Sequence, residues 1–223
     1  SKSKRYVLCP GSIARVAKLN LKPGPESPAA REGTRAHQLL ETCLDPNDMK
    51  QPKDVEGLTD EVGPWEPDQE MINYIQDTID YLGRRQILLM PSVVQSELTV
   101  NPEPLTSCPE QGGTADIVIF SRHKKVLEIA DLKYGRGLRV DPEDNTQLTL
   151  YAAGVIAGMP VTDLDHVETV VCTIMQPRIP TERGTNRSVE YTLEGILDKA
   201  KEIGQAGLLA LSDAGPINPG DEQ

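Results

Sequence analysis

Two carboxylates and a lysine occur at a spacing that suits metal-assisted chemistry. Asp116 lies in the run GTADIVIFS, and Asp131 and Lys133 end the run VLEIADLK. The alternating apolar residues predict a strand for each run, with a turn between them at residues 121–125. Because strand side chains alternate between faces, Asp131 and Lys133 should project to the same side, with Leu132 turned into the core. The two acids and the ammonium group would then meet at one edge of a sheet.

Such a cluster has a chemical use. Mg²⁺ takes oxygen ligands, commonly one or two carboxylates together with substrate phosphates and water. A lysine beside them can orient or deprotonate an attacking water, or neutralise the charge that develops on phosphoryl oxygens. A hairpin with solvated acids and an ion-paired lysine is the alternative, and it is the commoner meaning of an isolated DxK triplet. Other parts of the sequence must therefore decide between the two.

A predicted helix upstream adds a histidine. Ser27-Pro28 indicates a helix start, with a capping serine and a proline at the first helical position. Apolar residues then recur at helical spacing, at Ala36, Leu39, Leu40 and Cys43. His37 lies beside this apolar stripe, where it either faces a site or packs against the core.

Five short motifs, in a fixed order along the chain, resemble the RecB-like exonuclease branch of the PD-(D/E)XK nuclease superfamily. This branch includes phage exonucleases and is related to the CRISPR adaptation nucleases. The motifs are GTRAH-x3-E at Gly33, Thr34, His37 and Glu41, a strand with Glu97, G-x-x-D at Gly113 and Asp116, D-x-K at Asp131 and Lys133, and Q-x-x-x-Y at Gln147 and Tyr151. The resemblance covers residues 9–176 and implies an α/β fold. Its restriction-endonuclease-like core is a central mixed β-sheet flanked by helices, in the order α-β-β-β-α-β.

The same resemblance implies roles for these residues. His37, Asp116 and Asp131 would hold Mg²⁺ or Mn²⁺, with the backbone carbonyl of Leu132 as a further ligand. Lys133 would be catalytic, positioning the water or stabilising the pentavalent phosphorus. A histidine ligand favours Mn²⁺ over Mg²⁺, because imidazole suits transition metals better.

Four further residues surround this expected centre. Gln147 and Tyr151, one helical turn apart, would support the lysine or contact the substrate strand, although a tyrosine on a helix face is also a common core residue. Glu41 is a candidate outside the direct ligand set. Glu97 has two equal alternatives. It lies either near the metal or just outside its ligands, or it pairs with a basic residue on a neighbouring strand. Glu128 is an odd number of residues from Asp131 and should face the opposite side of the sheet.

Charge both supports and opposes binding to DNA. The net charge of −11 is unfavourable, because phosphate contacts require Lys and Arg. Residues 41–70 hold ten acids and two bases, a net of −8, so the rest of the chain carries only −3. Residues 45–68, rich in Pro and Gly, predict a long acidic loop or lid. The expected DNA-binding bases follow the second acid or lie in a later loop, at Arg136, Arg139, Arg178, Arg183 and Arg187, and a solvated surface loop is an equal alternative for residues 178–187.

The remaining pattern predicts a single nuclease domain over residues 1–223. Its catalytic core would span residues 28–176, followed by a C-terminal helix at 192–211. Between the motifs we expect a short helix after Pro10, helices at 68–85 and from Asp141, and strands at 92–100 and 167–175.

The four cysteines form no CxxC pair, so the sequence supports neither a zinc ribbon nor a redox motif. Cys43 and Cys172 lie in apolar patterns and should be core residues. Cys9 precedes Pro10 in a context similar to the N-terminal cysteine of iron–sulfur RecB-like nucleases. That similarity implies a [4Fe–4S] cluster in a longer form, with the other three cysteines supplied by chain beyond residue 223.

These observations predict a divalent-metal-dependent DNA nuclease, an exonuclease rather than an endonuclease. It would act on DNA with free ends in phage or bacterial recombination or replication. No apolar run approaches the ~18–20 residues that span a membrane, and the chain begins without a signal-peptide core, which favours a cytoplasmic location. The alternatives are an inactive nucleic-acid-binding module of the same fold and an acidic scaffold for other proteins.

Overall fold

The computed structural model describes residues 26–109, 111–182 and 184–212. Its elements, in chain order, are α1 (Pro28–Cys43), a 3₁₀ turn (Pro52–Asp54), β1 (Thr59–Asp60), β2 (Gly63–Pro64), α2 (Gln69–Leu89), β3 (Val93–Val100), α3 (Glu103–Thr106), β4 (Gly113–Ser121), β5 (Val126–Leu132), α4 (Thr146–Gly158), α5 (Val161–Leu164), β6 (Thr169–Met175), β7 (Asn186–Thr192) and α6 (Leu193–Leu211). Cys9, Arg183 and the helix expected after Pro10 lie outside the described residues.

A five-stranded mixed sheet with the order β3-β4-β5-β6-β7 forms the centre of the fold. Only β5 and β6 are parallel, and α4 is the crossover that joins them; the other three pairs are antiparallel. From α2 to β6, the longer elements follow the order α-β-β-β-α-β. The expected α/β class, with a central mixed sheet flanked by helices, is confirmed.

The helices cover both faces of this sheet. On one face, Leu39 of α1 and Ile75 of α2 belong to a buried cluster with Ile117 and Leu132. On the other face lies a second cluster, formed by Leu148 of α4, Ile196 of α6, Leu127 and Ile129. Successive residues of β5 thus alternate between two apolar layers, as its nearly continuous apolar sequence requires.

Glu128 faces away from the Asp131 side, as predicted. Its side chain is fully buried, accepts hydrogen bonds from Arg85 Nε at 2.8 Å and Nη2 at 2.6 Å, and accepts another from Thr173 Oγ1 at 2.8 Å. Buried charges persist when they are paired and hydrogen-bonded, so this contact fixes α2 against the sheet.

Local signals explain where the site-bearing helices begin. Ser27 caps α1 by accepting a hydrogen bond from Ala30 N at 3.1 Å, and Pro28 is the first helical residue, as predicted. The start expected for α4 at Asp141 is wrong. Asn145 caps this helix, accepting from the backbone N–H groups of the second and third helical residues, so the helix begins at Thr146.

The loop expected at residues 178–187 ends in a strand that the sequence did not reveal. β7 pairs antiparallel with β6 from Asn186↔Met175 to Thr192↔Thr169. Its sequence, NRSVEYT, is mostly polar because β7 is an edge strand with several exposed side chains. Apolar periodicity is therefore a weak signal here, and only pairing with β6 defines the strand.

The acidic segment at residues 45–68 is packed on α1 rather than forming a lid. It contains the 3₁₀ turn and the β1–β2 hairpin, and its apolar side chains Val55, Leu58 and Trp65 are buried. Trp65 Nε1 donates to Gln38 Oε1 at 3.0 Å, which ties the segment to the helix. Most of the segment is therefore the loop that its composition predicted, and a few apolar side chains hold it against α1.

Cys43 and Cys172 are buried, as expected of core residues, and Cys108 is buried too. Within the described ranges, no helix combines the length and the apolar character needed to cross a bilayer.

Candidate functional site

The two acids of the sequence motifs meet where β4 and β5 separate. Backbone pairing between these strands extends to Ile117↔Ala130. Beyond it, Asp116 Oδ2 accepts a hydrogen bond from Leu132 N at 2.7 Å, so a side chain occupies the position of a strand partner. Asp116 is 8% exposed and Asp131 1% exposed. Two nearly buried carboxyl groups therefore lie at the end of the sheet where β4 begins and β5 ends.

Lys133 and the Q-x-x-x-Y motif enclose Asp131. Lys133 Nζ lies 2.6 Å from Asp131 Oδ2 and donates to Gln147 Oε1 at 3.1 Å. Gln147 Nε2 in turn donates to Asp131 Oδ1 at 3.1 Å and to the Tyr151 hydroxyl at 2.9 Å. Gln147 thus connects the lysine, the acid and the tyrosine in one network, with α4 placing Gln147 and Tyr151 one turn apart.

A group of possible metal ligands lies beside this network. His37 of α1, Glu97 of β3 and Asp116 of β4 each offer a ligand atom, and these atoms lie within 4.8 Å of one another. His37 Nδ1 is 3.4 Å from Asp116 Oδ2. The expected ligand set was His37, Asp116 and Asp131; the structure instead places Glu97 with the first two, while Asp131 contacts Lys133. One imidazole and two carboxylates are a donor set for a divalent cation.

The backbone at Glu97 explains how its carboxylate reaches this group. Glu97 has φ +49°, a left-handed conformation that a non-glycine residue in a strand adopts rarely. The β3–β4 pairing is continuous at Ser96↔Ile117 and resumes at Leu98↔Ala115, so it omits Glu97. Such conformations cost about 1–3 kcal/mol and are concentrated at functional sites. The sequence carries no signal for this departure, which is why the role of Glu97 stayed open.

The electrostatics of the site favour a cation. Burial raises the pKa of Asp116 above its ordinary range, and the nearby charge of Asp131 raises it further. Burial, Asp116 and Glu41 likewise raise the pKa of Glu97. Burial lowers the pKa of His37 and outweighs the nearby charge of Asp131, which raises it, so the neutral imidazole that a metal requires is favoured. A divalent cation would relieve the repulsion between these carboxylates.

Gly113 of the G-x-x-D motif has a steric role. A Cβ atom there would lie 2.9 Å from Tyr151 Cε1 and 3.2 Å from its hydroxyl oxygen. Glycine therefore lets the tyrosine ring lie against β4, where its hydroxyl reaches Gln147. Gly33 differs, since a Cβ there would meet no described atom within 4 Å.

The bases near the site fall into two groups. Arg136 and Arg139 are exposed, and their guanidinium groups contact the exposed acids Glu70, at 2.6 Å, and Asp141, at 2.7 Å. Pairs of this kind contribute only about 0–1 kcal/mol, so both arginines are free to exchange their partners.

The surroundings of Arg178 and Arg187 match neither the expected DNA-binding role nor the solvated surface loop that was its alternative. The Arg178 side chain is 3% exposed, lies over the Tyr134 ring at 4.6 Å and pairs with Glu32 at 2.8 Å. Arg187 is 4% exposed on β7. Its Nη2 donates to the Val140 carbonyl at 2.7 Å and to Gln176 Oε1 at 2.8 Å. Both guanidinium groups bond to the protein itself, which leaves them a structural role rather than the expected phosphate contact.

A cleft of about 630 Å³ opens onto the ligand group. His37, Glu97, Leu132 and Lys133 contribute to its lining. One wall is the first half of α1, and the other is the segment after β5. The remaining lining residues are Ala29, Ala30, Gly33, Thr34, Tyr134, Gly135, Gly137, Leu138, Val140 and Gln176.

Fold and site together define an α/β protein with a histidine–carboxylate group and an adjoining acid–lysine pair in a cleft. By sequence, the chain belongs to the DUF2800 family, described as proteins of unknown function, whose family model matches residues 1–223. That description assigns no activity, so any function has to be argued from the site.

Proposed function

We propose that this protein is a divalent-metal-dependent DNA nuclease of the PD-(D/E)XK superfamily, in its RecB-like exonuclease branch. The observation that carries the proposal is the convergence of His37, Glu97 and Asp116, within 4.8 Å of one another, beside the Asp131–Lys133 pair at 2.6 Å. Five separate elements contribute these residues and Gln147, in the chain order that the resemblance requires. A chance DxK hairpin would not gather them at one end of the sheet.

The donor set fits a Mg²⁺ or Mn²⁺ ion. His37, Glu97 and Asp116 would be its ligands, with Asp131 and the Leu132 carbonyl next to them. A bound ion would polarise a phosphoryl oxygen and lower the pKa of a bound water. The buried carboxylates would keep the ion in place, and the neutral His37 imidazole would favour Mn²⁺.

Lys133 would act on the substrate phosphate or on the attacking water. Its Nζ is oriented from two sides, by Asp131 and by Gln147 Oε1 at 3.1 Å. From this position it would stabilise the charge that grows on the phosphoryl oxygens as water attacks phosphorus. The bond from phosphorus to the 3′ oxygen breaks, which leaves a 3′-hydroxyl and a 5′-phosphate. Gln147 would hold the lysine, and Tyr151 would hold Gln147.

The substrate contacts proposed here are those of Arg136 and Arg139, since both are exposed beside the cleft. Action on free DNA ends in phage or bacterial recombination and a cytoplasmic location belong to the same proposal. The action on free ends rests on the resemblance alone.

The test is digestion of end-labelled linear DNA and of closed-circular DNA with Mg²⁺, Mn²⁺ or EDTA. We expect metal-dependent loss of label from linear DNA and survival of the circle. Asp116→Asn should abolish cleavage, and Lys133→Ala should lower it by about 10²–10³-fold while metal binding is kept. The matched controls are Asp77→Asn and Lys124→Ala, because both side chains are exposed and neither lines the cleft.

Each rival function predicts a different result. DNA binding without cleavage at any metal would favour the inactive binding module. Failure to bind metal or DNA would favour the acidic scaffold. Cleavage by Lys133→Ala at the wild-type rate would exclude the mechanism proposed here.

A further inference from the structure

One wall of the cleft is a short segment directly after Lys133, residues 134–140, which we call the strap. Its sequence is YGRGLRV. Leu138 in the strap is 89% exposed, although it lines the same cleft as His37 and Lys133. A single exposed leucine is ordinary on a protein surface. What distinguishes Leu138 is its place at the cleft and the way its backbone is held.

Two buried polar side chains hold the backbone of the strap in place. Gln176, 1% exposed, donates to the Leu138 carbonyl at 3.0 Å and accepts from Val140 N at 3.1 Å. Arg187 donates to the Val140 carbonyl at 2.7 Å and to Gln176 Oε1 at 2.8 Å. Buried hydrogen-bond networks of this kind make a segment rigid. The exposed Leu138 side chain is therefore presented from a fixed backbone.

Small residues line the α1 side of the cleft. They are Ala29, Ala30 and Gly33, in the first half of α1. The cleft volume of about 630 Å³ is in the range of sites for drug-sized molecules, comparable to a nucleotide or two.

We infer that a single DNA strand passes between α1 and the strap to reach Lys133, and that Leu138 is the edge at which a duplex end is opened. The inference rests on the nuclease function proposed above. Apolar side chains that insert between base steps unstack them and separate the bases on either side. Arg136 and Arg139 flank Leu138, and their weak surface ion pairs can be exchanged for contacts with the phosphates of the parted strands.

The test compares three end-labelled substrates of one sequence: a single strand, a blunt duplex, and a duplex whose last few bases are unpaired. Leu138→Ala should lower the initial rate on the blunt duplex by about tenfold, because the cost of unstacking is no longer offset. On the single strand and on the open-ended duplex its rate should match the wild type. Leu88→Ala is the matched control, since Leu88 is 63% exposed and does not line the cleft.

The other outcomes separate the inference from the function on which it rests. An equal loss on all three substrates, or no loss on the blunt duplex, would overturn the role of Leu138, as would the same pattern in Leu88→Ala. Faster cleavage of the blunt duplex than of the single strand by the wild type would overturn the single-strand path. If the wild type cleaves none of the substrates with Mg²⁺ or Mn²⁺, the nuclease function itself fails, and the inference fails with it.

Discussion

At the scale of single residues, the two motif acids have different surroundings and therefore different roles. Asp116 accepts from the Leu132 backbone and lies beside His37, with its pKa raised by burial and by Asp131. Asp131 is held by Lys133 and by Gln147. The first environment suits a cation ligand, and the second fixes the direction of the lysine. If Asp131 also bound the ion, its carboxylate would have to contact the ion and Lys133 at the same time.

His37 provides the sharpest test of the ligand set. We expect His37→Ala to weaken Mn²⁺ binding by more than about tenfold and to weaken Mg²⁺ binding much less. Mutation of a residue that only hydrogen-bonds to a metal ligand can already cost about tenfold in affinity, so loss of a ligand should cost more. Calorimetric titration of each metal into the protein measures this difference. His123→Ala is the control, because His123 is exposed in the β4–β5 turn. If the variant melts at a lower temperature but keeps both metal affinities, His37 is a packing residue.

At the scale of elements, the site depends on contacts between β4 and α4. Both strands of the β4–β5 hairpin and the start of α1 could be predicted, because alternating apolar residues and a Ser-Pro cap are strong local signals. The start of α4 could not, since Asn145 and Asp141 are both plausible caps. The contact between Gly113 and the Tyr151 ring was also hidden, because the two residues are far apart in sequence. Only the fold shows why glycine is required there.

Substitution of Gly113 tests this contact through a double-mutant cycle. Gly113→Ala should displace the Tyr151 ring, because its Cβ would lie 2.9 Å from Cε1. We expect a lower cleavage rate and a loss of about 1–3 kcal/mol in the free energy of unfolding, the range for overpacking. With Tyr151→Leu already present, the same change should cost less, by a coupling energy of about 0.5–3 kcal/mol.

The control for this cycle is Gly83→Ala in α2, where no described atom lies within 4 Å of the added Cβ. It should stabilise the protein by about 0.5–1 kcal/mol through helix propensity alone. Full additivity of Gly113→Ala and Tyr151→Leu in urea denaturation would show that the two residues do not interact.

At the scale of the whole molecule, the fold class could be predicted from apolar periodicity. The count of charged residues was a poorer guide to which segments and side chains are buried. The two apolar layers are visible in the periodicity of helices and strands. The packing of the acidic segment depends on three isolated apolar residues, Val55, Leu58 and Trp65, and composition concealed it. The burial of Arg178 and Arg187 depends on partners distant in sequence, so a count of bases could not distinguish structural arginines from surface ones. The position of Glu97 could not be predicted either, because it depends on a left-handed backbone conformation within β3.

The crowded carboxylates also make stability depend on pH in a definite direction. Burial, followed by the charge of Asp131, raises the pKa of Asp116 to about 7. A group whose pKa is higher in the folded state binds its proton more tightly there. Its contribution to stability is therefore complete below its unfolded pKa of about 4 and is lost as the pH rises through the folded value. Without metal, Asp116 should thus lower the stability of the protein progressively as the pH rises from about 4 to about 7, and the full loss should remain above pH 7.

Asp116→Asn isolates this effect, because an asparagine oxygen can still accept from Leu132 N while the charge is removed. In EDTA we expect the variant to be more stable than the wild type by about 1–3 kcal/mol near pH 8 and by much less near pH 5, as measured by urea denaturation. Added Mg²⁺ should remove most or all of this difference near pH 8. Saturation at 100 times Kd stabilises the wild type by about 2.7 kcal/mol, and the variant should gain little. A variant less stable than the wild type in EDTA at the higher pH would contradict the repulsion inferred at this site, and equal stabilisation of both proteins by Mg²⁺ would exclude Asp116 as a ligand.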